Sequence, residues 1–333
     1  MVEPGNRDKL KYMRSTWVIG LAMVSVAFLW GCGKAPETPA PAAEPAVEVP
    51  APVEVSGEAA LEEVRRFVEL GPRDSGTAGA EKAANYLMGR LRELGVEAEI
   101  QEFRDASPKG EIVFRNVLGR LPGDGQRIVL LGSHYDTKAG IEGFAGANDS
   151  GSSTGLLLEL ARAMAREAPH PAEIRFAFFD GEECMEAYGP ADGFHGSRHL
   201  AETMAADGSL SNVAAMILLD MVGDRDLTVT IPRNSTPWLV SLAFDAARAE
   251  GVRGRFQLAP SAIGDDHEAF FSRGVPAIDL IDFQFGSAPG RNDYWHTAED
   301  TMDRVSAESL GAVGRVAARM VAEIPGRESA AGK

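Results

Sequence analysis

The chain has 333 residues, of which 44% are hydrophobic and 25% are charged, and its formal net charge is -16. These values suit one large globular domain, or two small ones, with a sizeable apolar core. The acidic balance argues against nucleic acid as a partner. Only two cysteines occur, Cys32 and Cys184, so a disulfide framework is not expected.

The N-terminal segment has the features of a bacterial secretion signal. Its first residues include several basic side chains, and residues 17–30 form an apolar run that is too short for a comfortable membrane span. The run ends in Leu29-Trp30-Gly31-Cys32, which resembles the lipobox of bacterial lipoproteins. We therefore expect residues 1–31 to be a lipoprotein signal peptide and Cys32 to carry the lipid. The alternative is an ordinary cysteine near a signal-cleavage site.

The same segment predicts where the protein resides. Met1 and Met13 are both possible translation starts, and Met13 directly precedes the apolar segment. Gly33 after the cysteine favours the outer membrane, by the sorting rule of bacterial lipoproteins. We expect a protein of the cell envelope that faces the periplasm and reaches the membrane only through its N-terminal lipid.

A compositional boundary follows the signal peptide. Residues 32–57 include the stretch KAPETPAPAAEPAVEVPAPVEVSG, which is rich in proline, alanine and glutamate. Such a composition cannot form a packed core and is typical of an extended tether. We expect one folded domain at residues 58–327 and a short tail at 328–333.

Apolar spacing within the folded part predicts alternating helices and strands. We expect helices at 61–70, 80–94, 153–167, 195–206, 238–250 and 309–324, and strands at 96–103, 112–121, 128–133, 174–179, 214–219 and 277–281. The Pro-Gly-Asp-Gly stretch at 122–125 predicts a hairpin-like turn. Continuous apolar strands that alternate with helices indicate an α/β fold. Its central sheet should be mixed but mostly parallel, with helices on both faces.

Histidines and carboxylates follow the predicted strands and loops at one edge of this sheet. They are His134, Asp149, Glu182, Glu183, Asp220 and His296. In such sheets ligands gather at the carboxyl ends of the strands. Imidazole nitrogens and carboxylate oxygens suit zinc, and an open coordination position makes such a site catalytic. One of the two adjacent glutamates can bind the cation while the other remains free as a proton shuttle.

Each of these residues also has a common structural explanation. A lone histidine at a strand end is more often hydrogen-bonded scaffold than a ligand. Asp149 could be a helix N-cap, Asp220 could cap a turn, and a pair of glutamates is usually solvated. The coincidence of these residues at successive strand ends favours the metal site.

The motifs that carry these residues resemble a known family. They include GSHYDTK, GANDSGSSTGLLLELARAM, FFDGEE, DGFHGSRHLA, LLDMVG, GDDHEAFFSRGVPAIDLI and YWHTAEDT, spread over residues 60–325. In this order and spacing they resemble the zinc-dependent exopeptidases of family M28, and within it the animal-type glutaminyl-peptide cyclotransferases. The resemblance implies the zinc-exopeptidase (phosphorylase/hydrolase-like) fold and peptide or protein N-termini as substrates.

The resemblance also implies roles for individual residues. Asp149, Glu183 and His296 match the primary zinc ligands, and Glu182 matches the general acid/base.

A second zinc would be held by His134 and Asp220 in a two-metal aminopeptidase, with Asp149 bridging. In the cyclotransferases one zinc suffices, and the position of Asp220 belongs to a catalytic proton network with Asp265.

The substrate pocket is where the chain departs from the cyclotransferase pattern. Trp295 matches the pocket wall of the cyclotransferases. That subfamily has a second pocket tryptophan six residues after the general acid/base, and Tyr188 occupies this position here. The sequence GAND is closer to the aminopeptidases, and a histidine often found after the GVP turn is Asp279. These departures concern the subfamily more than the metal site.

Two chemistries are therefore open. The favoured one is cyclisation of an N-terminal glutamine to pyroglutamate with release of ammonia, which needs no water nucleophile. The alternative is hydrolysis of N-terminal residues by an aminopeptidase with two zinc ions. A third possibility, a non-catalytic binding lipoprotein on the same fold, is disfavoured by the intact ligands and Glu182.

Overall fold

The computed structural model of the protein describes residues 53–167 and 169–331. The predicted signal peptide, Cys32 and almost all of the predicted tether lie outside the described residues. Within those two ranges, no helix combines the length and the apolar character that crossing a membrane requires.

Helices and strands alternate along the chain as the apolar spacing predicts. The helices are α1 (Gly57–Val68), α2 (Ala78–Glu93), α3 (Gly151–Ala165), α4 (His195–Ala206), α5 (Pro237–Ala249), α6 (His267–Phe271) and α7 (Ala307–Ala331). The strands are β1 (Glu97–Ser107), β2 (Gly110–Leu121), β3 (Ile128–His134), β4 (Glu173–Phe179), β5 (Val213–Asp220), β6 (Val229–Ile231), β7 (Phe256–Leu258) and β8 (Ala277–Ile281).

Capping chemistry explains where several helices begin. Ser56 precedes α1, and its hydroxyl accepts a hydrogen bond from the backbone N–H of Ala59 at 3.2 Å. Thr77 does the same for Ala80 at the start of α2. These side chains satisfy amides that have no partner inside the helix. Helix α1 therefore starts at Gly57, four residues before the start at residue 61 that the apolar spacing predicts.

Six strands form one mixed sheet in the order β1-β2-β4-β3-β5-β8. Strands β4, β3, β5 and β8 are parallel, whereas β2 is antiparallel to both of its neighbours. Strands β6 and β7 pair in parallel as a separate small sheet. The predicted α/β architecture with a mostly parallel mixed sheet is confirmed.

The predicted hairpin at residues 122–125 is wrong. The hairpin lies earlier, where β1 and β2 pair around Ser107 and Gly110. Residues 122–125 do turn the chain, but they connect β2 to β3, and β4 lies between those two strands. The turn pairs instead with the connection into β4, where Asp124 N–H donates to the carbonyl of His170 at 2.9 Å.

Apolar side chains cover both faces of the sheet. In β3, Val129 and Leu131 belong to a large cluster with residues of α1, α2, α3, α5 and α7. The alternate residues Ile128 and Leu130 belong to a second cluster with residues of α4 and α6. Because successive side chains of a strand point to opposite faces, these helices form a layer on each side. Because β4, β3, β5 and β8 are parallel, their carboxyl ends lie at the same edge of the sheet.

Candidate metal centre

The predicted polar residues lie together at this carboxyl edge. His134 is the last residue of β3 and Asp220 is the last residue of β5, while Glu182 and Glu183 follow the end of β4 after Asp180 and Gly181. All four side chains are buried, so the two adjacent glutamates are not a solvated surface pair. Burial of unpaired carboxylates is costly, which indicates that they are compensated by a cation or by protons.

Two groups of side chains bring their ligand atoms within 4.8 Å of one another. One group is His134, Asp149 and Asp220, and the other is Asp149, Glu183 and His296. Asp149 is common to both, and its two carboxylate oxygens face different histidines. Oδ1 lies 3.1 Å from His134 Nε2, and Oδ2 lies 3.4 Å from His296 Nε2.

These spacings fit zinc. Four ligands around a tetrahedral zinc with bonds of about 2.0 Å lie about 3.3 Å apart. His296 Nε2 lies 2.9 Å from Glu183 Oε1, and His134 Nε2 lies 3.2 Å from Asp220 Oδ1. Asp149 Oδ2 is buried without a hydrogen-bond partner among the described residues, as expected for an atom reserved for a metal. The donor set is therefore one that zinc prefers.

Asp149 does not act as a helix N-cap. Ser150 holds that position for α3, and the carboxylate of Asp149 points to the histidines instead. The backbone of this segment is fixed by Asp300, whose two oxygens accept hydrogen bonds from Asn148 N–H at 2.7 Å and Asp149 N–H at 3.0 Å. The side-chain oxygen of Asn148 in turn accepts from Gly223 N–H at 2.9 Å. Sequence reasoning missed Asp300, although it lies in the YWHTAEDT motif.

Asp136 organises the other half of the site. Its two oxygens accept hydrogen bonds from Glu182 N–H and Glu183 N–H, each at 3.2 Å. Its Oδ1 also lies 3.4 Å from His134 Nδ1, so it can fix the orientation of that imidazole. Asp136 therefore links β3 to the two glutamates. The sequence signal for Asp136 was its position two residues after His134 in the GSHYDTK motif, but the sequence analysis assigned no role to Asp136.

A buried arginine supports the same loops. Arg73 is fully buried and donates to the carbonyl oxygens of Tyr135 at 3.0 Å and Gly146 at 3.1 Å. Asp300, Asp136 and Asp149 are the carboxylates that most strongly stabilise its charge, although burial lowers its pKa to about 10. Arg73 thus ties the residue after β3 to the loop that precedes Asp149, and it places a positive charge behind an acidic site.

His296 comes from a tight turn after β8. Its φ of 55° is a left-handed backbone conformation that residues other than glycine seldom adopt. Thr297 closes the turn, since its N–H and its hydroxyl both donate to the carbonyl of Tyr294, at 3.2 and 2.7 Å. The indole of Trp295 stacks on the His296 ring with centroids 3.9 Å apart. The turn therefore presents a candidate metal-binding imidazole and an aromatic side chain together.

The carboxylates and imidazoles shift one another's pKa values. Burial raises the pKa of Glu183 to about 7 and raises that of Glu182 well above its usual range. Burial lowers the pKa of His296, but the nearby carboxylates of Asp149 and Glu183 outweigh it and raise the pKa to about 9. The carboxylates that favour a protonated imidazole would equally favour a divalent cation, which competes with protons for the same atoms.

A cavity of about 220 Å³ opens over these side chains. Its polar floor includes Glu182 and Glu183, and its walls include Trp295, Phe283 and Tyr188. The Tyr188 hydroxyl reaches the floor, 3.1 Å from Glu183 Oε2.

Asp265 also borders the cavity. One of its oxygens accepts from Asp266 N–H at 2.6 Å, and the other has no hydrogen-bond partner in the described part of the chain. The predicted ligand, acid/base and pocket residues therefore border one cavity, except His134, which lies behind Asp149 with its Nε2 3.1 Å from Asp149 Oδ1.

This constellation and the fold around it match known proteins. Residues 116–321 match Peptidase family M28. The chain belongs to this family. The predicted family is therefore confirmed by a match that covers the metal centre from β3 to the His296 turn.

The similar proteins include glutaminyl cyclases from an insect and from a bacterium. A glutaminyl-peptide cyclotransferase of Drosophila melanogaster is 31% identical over 278 residues, which are 74% of this chain and 76% of that protein. The crystal structure of an Acidobacteriales bacterium glutaminyl cyclase has 35% identity and a TM-score of 0.80, covering 86% of this chain and 100% of that one. A Zn-dependent exopeptidase from Parabacteroides distasonis has 29% identity and a TM-score of 0.72, covering 81% and 99%. The predicted likeness to the cyclotransferases is confirmed.

Proposed function

We propose that the protein is a zinc-dependent glutaminyl-peptide cyclotransferase whose catalytic domain spans residues 58–327. The proposal rests on one observation: a group of residues suited to binding zinc, the buried Glu182 and aromatic side chains all line one small cavity. The named activity of the similar proteins from Drosophila melanogaster and an Acidobacteriales bacterium supports it.

Asp149, Glu183 and His296 are the proposed zinc ligands. A zinc ion held by these three residues would supply a Lewis acid for the side-chain amide carbonyl of the substrate. The protein's own contribution at this point is to hold the three donors in place through the backbone contacts of Asp136 and Asp300.

Glu182 is the proposed general acid/base. It is buried at the cavity floor, and its elevated pKa suits a group that gains and loses a proton during turnover. The substrate's α-amine attacks the γ-amide carbon, and Glu182 accepts the proton that the amine loses. The same proton then leaves with the amide nitrogen as ammonia, and the five-membered pyroglutamyl ring remains.

The cavity favours this intramolecular reaction. Trp295, Phe283 and Ile263 provide apolar surface around a side chain that must fold back on its own amine. Holding the two reacting groups together replaces a bimolecular encounter and supplies much of the rate. Asp220 and Asp265 border the same cavity and are the proposed partners of Glu182 in proton transfer.

Aminopeptidase activity is the second candidate, and one specific observation favours it. His134, Asp149 and Asp220 form a complete second donor set beside the first. The two donor groups, which share Asp149, would hold zinc in an arrangement suited to activation of water for hydrolysis, with Glu182 as the base. Two measurements therefore distinguish the cyclotransferase from the aminopeptidase: the number of zinc ions per chain and the identity of the product.

The test compares two substrates with the purified enzyme. A Gln-initiated dipeptide amide should give ammonia and a product lighter by one ammonia, and a Leu-initiated dipeptide amide should remain intact. Release of free leucine, with two zinc ions per chain and no pyroglutamate, would replace the cyclotransferase by the aminopeptidase and leave the metal centre unchanged.

The proposal also includes the location of the enzyme. Lipid on Cys32 would anchor it in the outer membrane, and the stretch at 32–57 would let the catalytic domain reach peptide or protein N-termini in the periplasm. The basic start, the apolar run and the lipobox-like end support this location.

A further inference from the structure

The loop that follows Glu183 is built to fix one tyrosine. The carboxylate of Asp192 accepts hydrogen bonds from the backbone N–H groups of Met185, Glu186 and Ala187, at 2.6, 2.9 and 2.9 Å. Gly189 and Asp192 also exchange backbone hydrogen bonds, which close the loop into a compact turn. Tyr188 lies within this turn, so its position is set by the fold rather than by a substrate.

The ring of Tyr188 is held from several sides. It stacks on Phe194 with centroids 4.9 Å apart, and Lys138 Nζ lies 5.6 Å from its centre. Behind it, Gly193 has a φ of +86°, and a Cβ at that position would lie 2.6 Å from Tyr188 Cδ1. Only glycine fits this position, both for its backbone conformation and for the space that the ring occupies.

The hydroxyl of Tyr188 points back to the metal centre. It lies 3.1 Å from Glu183 Oε2 and 3.5 Å from Glu182 Oε2. The other oxygen of Glu183, Oε1, lies 2.9 Å from Nε2 of His296, a member of the same candidate ligand group. The protein thus treats the two oxygens of Glu183 differently, with a hydroxyl donor on one and the metal site on the other.

We propose that the Tyr188 hydroxyl is a positioning group that holds Glu183 Oε2 and so reserves Oε1 for the zinc ion. A carboxylate that is held in this way binds a metal through one oxygen and loses less freedom on binding. The hydroxyl also lies beside the oxygens of both Glu182 and Glu183, where a donor reduces the repulsion between two adjacent carboxylates. The inference deepens the proposed function, because it assumes that Glu183 is a zinc ligand.

The test is the zinc affinity of Tyr188→Phe, measured without substrate by competition with a chelating dye. This variant removes the hydroxyl and keeps the ring, and outer-shell partners of this kind typically change metal affinity by about 10- to 100-fold. We expect zinc binding to weaken by roughly that factor, while the unfolding midpoint of the metal-free protein stays the same. Unchanged zinc affinity in Tyr188→Phe would overturn the proposal.

A matched control removes a hydroxyl elsewhere. Tyr86 lies on α2, and its hydroxyl has no hydrogen-bond partner among the described residues. Tyr86→Phe should bind zinc as the wild type does. An equal loss in both variants would show a general effect on folding and would contradict a specific role for Tyr188.

The outcome is separable from the proposed function. Zinc competition needs no turnover, so a wild-type enzyme that forms no pyroglutamate would refute cyclisation and still report on Tyr188. If cyclisation does occur, we expect Tyr188→Phe to lower kcat at subsaturating zinc, with recovery at excess zinc and an unchanged KM. A raised KM that excess zinc does not restore would assign Tyr188 to substrate binding instead.

Discussion

His296 Nε2 lies 2.9 Å from Glu183 Oε1, although 113 positions separate the two residues in the chain. One side chain comes from the loop after β8 and the other from the end of β4, so only the folded sheet brings them together. Asp149, from the start of α3, completes the group. Loss of any one of them should therefore disable the same binding site.

His296→Ala is expected to lose zinc. Removal of an imidazole from a three-residue donor set should weaken binding by more than the roughly 10- to 100-fold typical of an outer-shell partner. Elemental analysis and chelator competition on the purified protein would measure the change. His199→Ala is a suitable control, because His199 stacks on Phe103 and belongs to neither donor group. Stoichiometric zinc at wild-type affinity in His296→Ala would refute the assignment.

The metal-free protein is expected to lose stability as the pH rises from about 6 to about 9. The folded-state pKa values of Asp300, Glu183 and His296 are about 8, 7 and 9, above the ordinary values of 3.8, 4.5 and 6.5. The folded state therefore binds more protons than the unfolded state, so its stability falls as these protons are lost. Asp149, whose pKa is lowered, is ionised in both states over this range.

Thermal unfolding at several pH values, with and without zinc, would measure this dependence. Excess zinc should remove or reverse the decline, because the metal takes the place of the protons and binds more tightly as pH rises. A metal-free protein that becomes more stable between these pH values would contradict the proposed electrostatics.

Arg73→Met is expected to destabilise the fold by on the order of 3 kcal/mol, because buried carbonyl groups lose their donors and the acidic site loses a cation. Arg73→Lys should recover part of the loss, since it restores the charge without the planar donor group. Chemical denaturation would measure both variants. Arg248→Met is the control, because Arg248 is an exposed residue whose ion-pair partner among the described residues is the exposed Asp245. Equal stability of Arg73→Met and Arg248→Met would contradict the role of Arg73.

Most residues of the candidate metal centre could be predicted from the sequence because they follow continuous apolar strands. Such strands form parallel sheets, and parallel strands end at one edge, so His134, Glu183 and Asp220 had to lie close together. The residues that sequence reasoning missed act on the backbone. Asp136 and Asp300 accept hydrogen bonds from main-chain N–H groups, and no spacing rule identifies such partners before the loops are folded.

The predicted fold departs from the structure at features that local sequence patterns do not reveal. Strands β6 and β7 have only three residues each, too few for an apolar pattern to show. The misplaced hairpin arose because Pro-Gly-Asp-Gly predicts a turn but does not reveal which strands pair on either side of it. The β1–β2 turn at Ser107–Gly110 has only Pro108 and Lys109 between these two residues, and that pair is not a typical hairpin sequence.

Cys32→Ser is expected to release the protein from the membrane fraction. A thiol is required for lipid attachment, and the rest of the predicted signal would still direct export. Fractionation of cells that express the wild type or the variant would measure the change. Cys184→Ser is the matched control, because Cys184 is buried in the folded domain. A Cys32→Ser protein that stays in the membrane fraction would refute the lipid anchor.

Cyclisation as proposed uses the substrate's own amine and no water. The most direct test is mass spectrometry of the product formed from a Gln-initiated peptide in heavy-oxygen water. Glu182→Gln serves as the control, because it should retain zinc and lose activity. Cyclisation predicts a pyroglutamyl product that is lighter by one ammonia and contains no heavy oxygen. A product with heavy oxygen in a new carboxylate, whether in a released amino acid or in glutamate, would contradict the account.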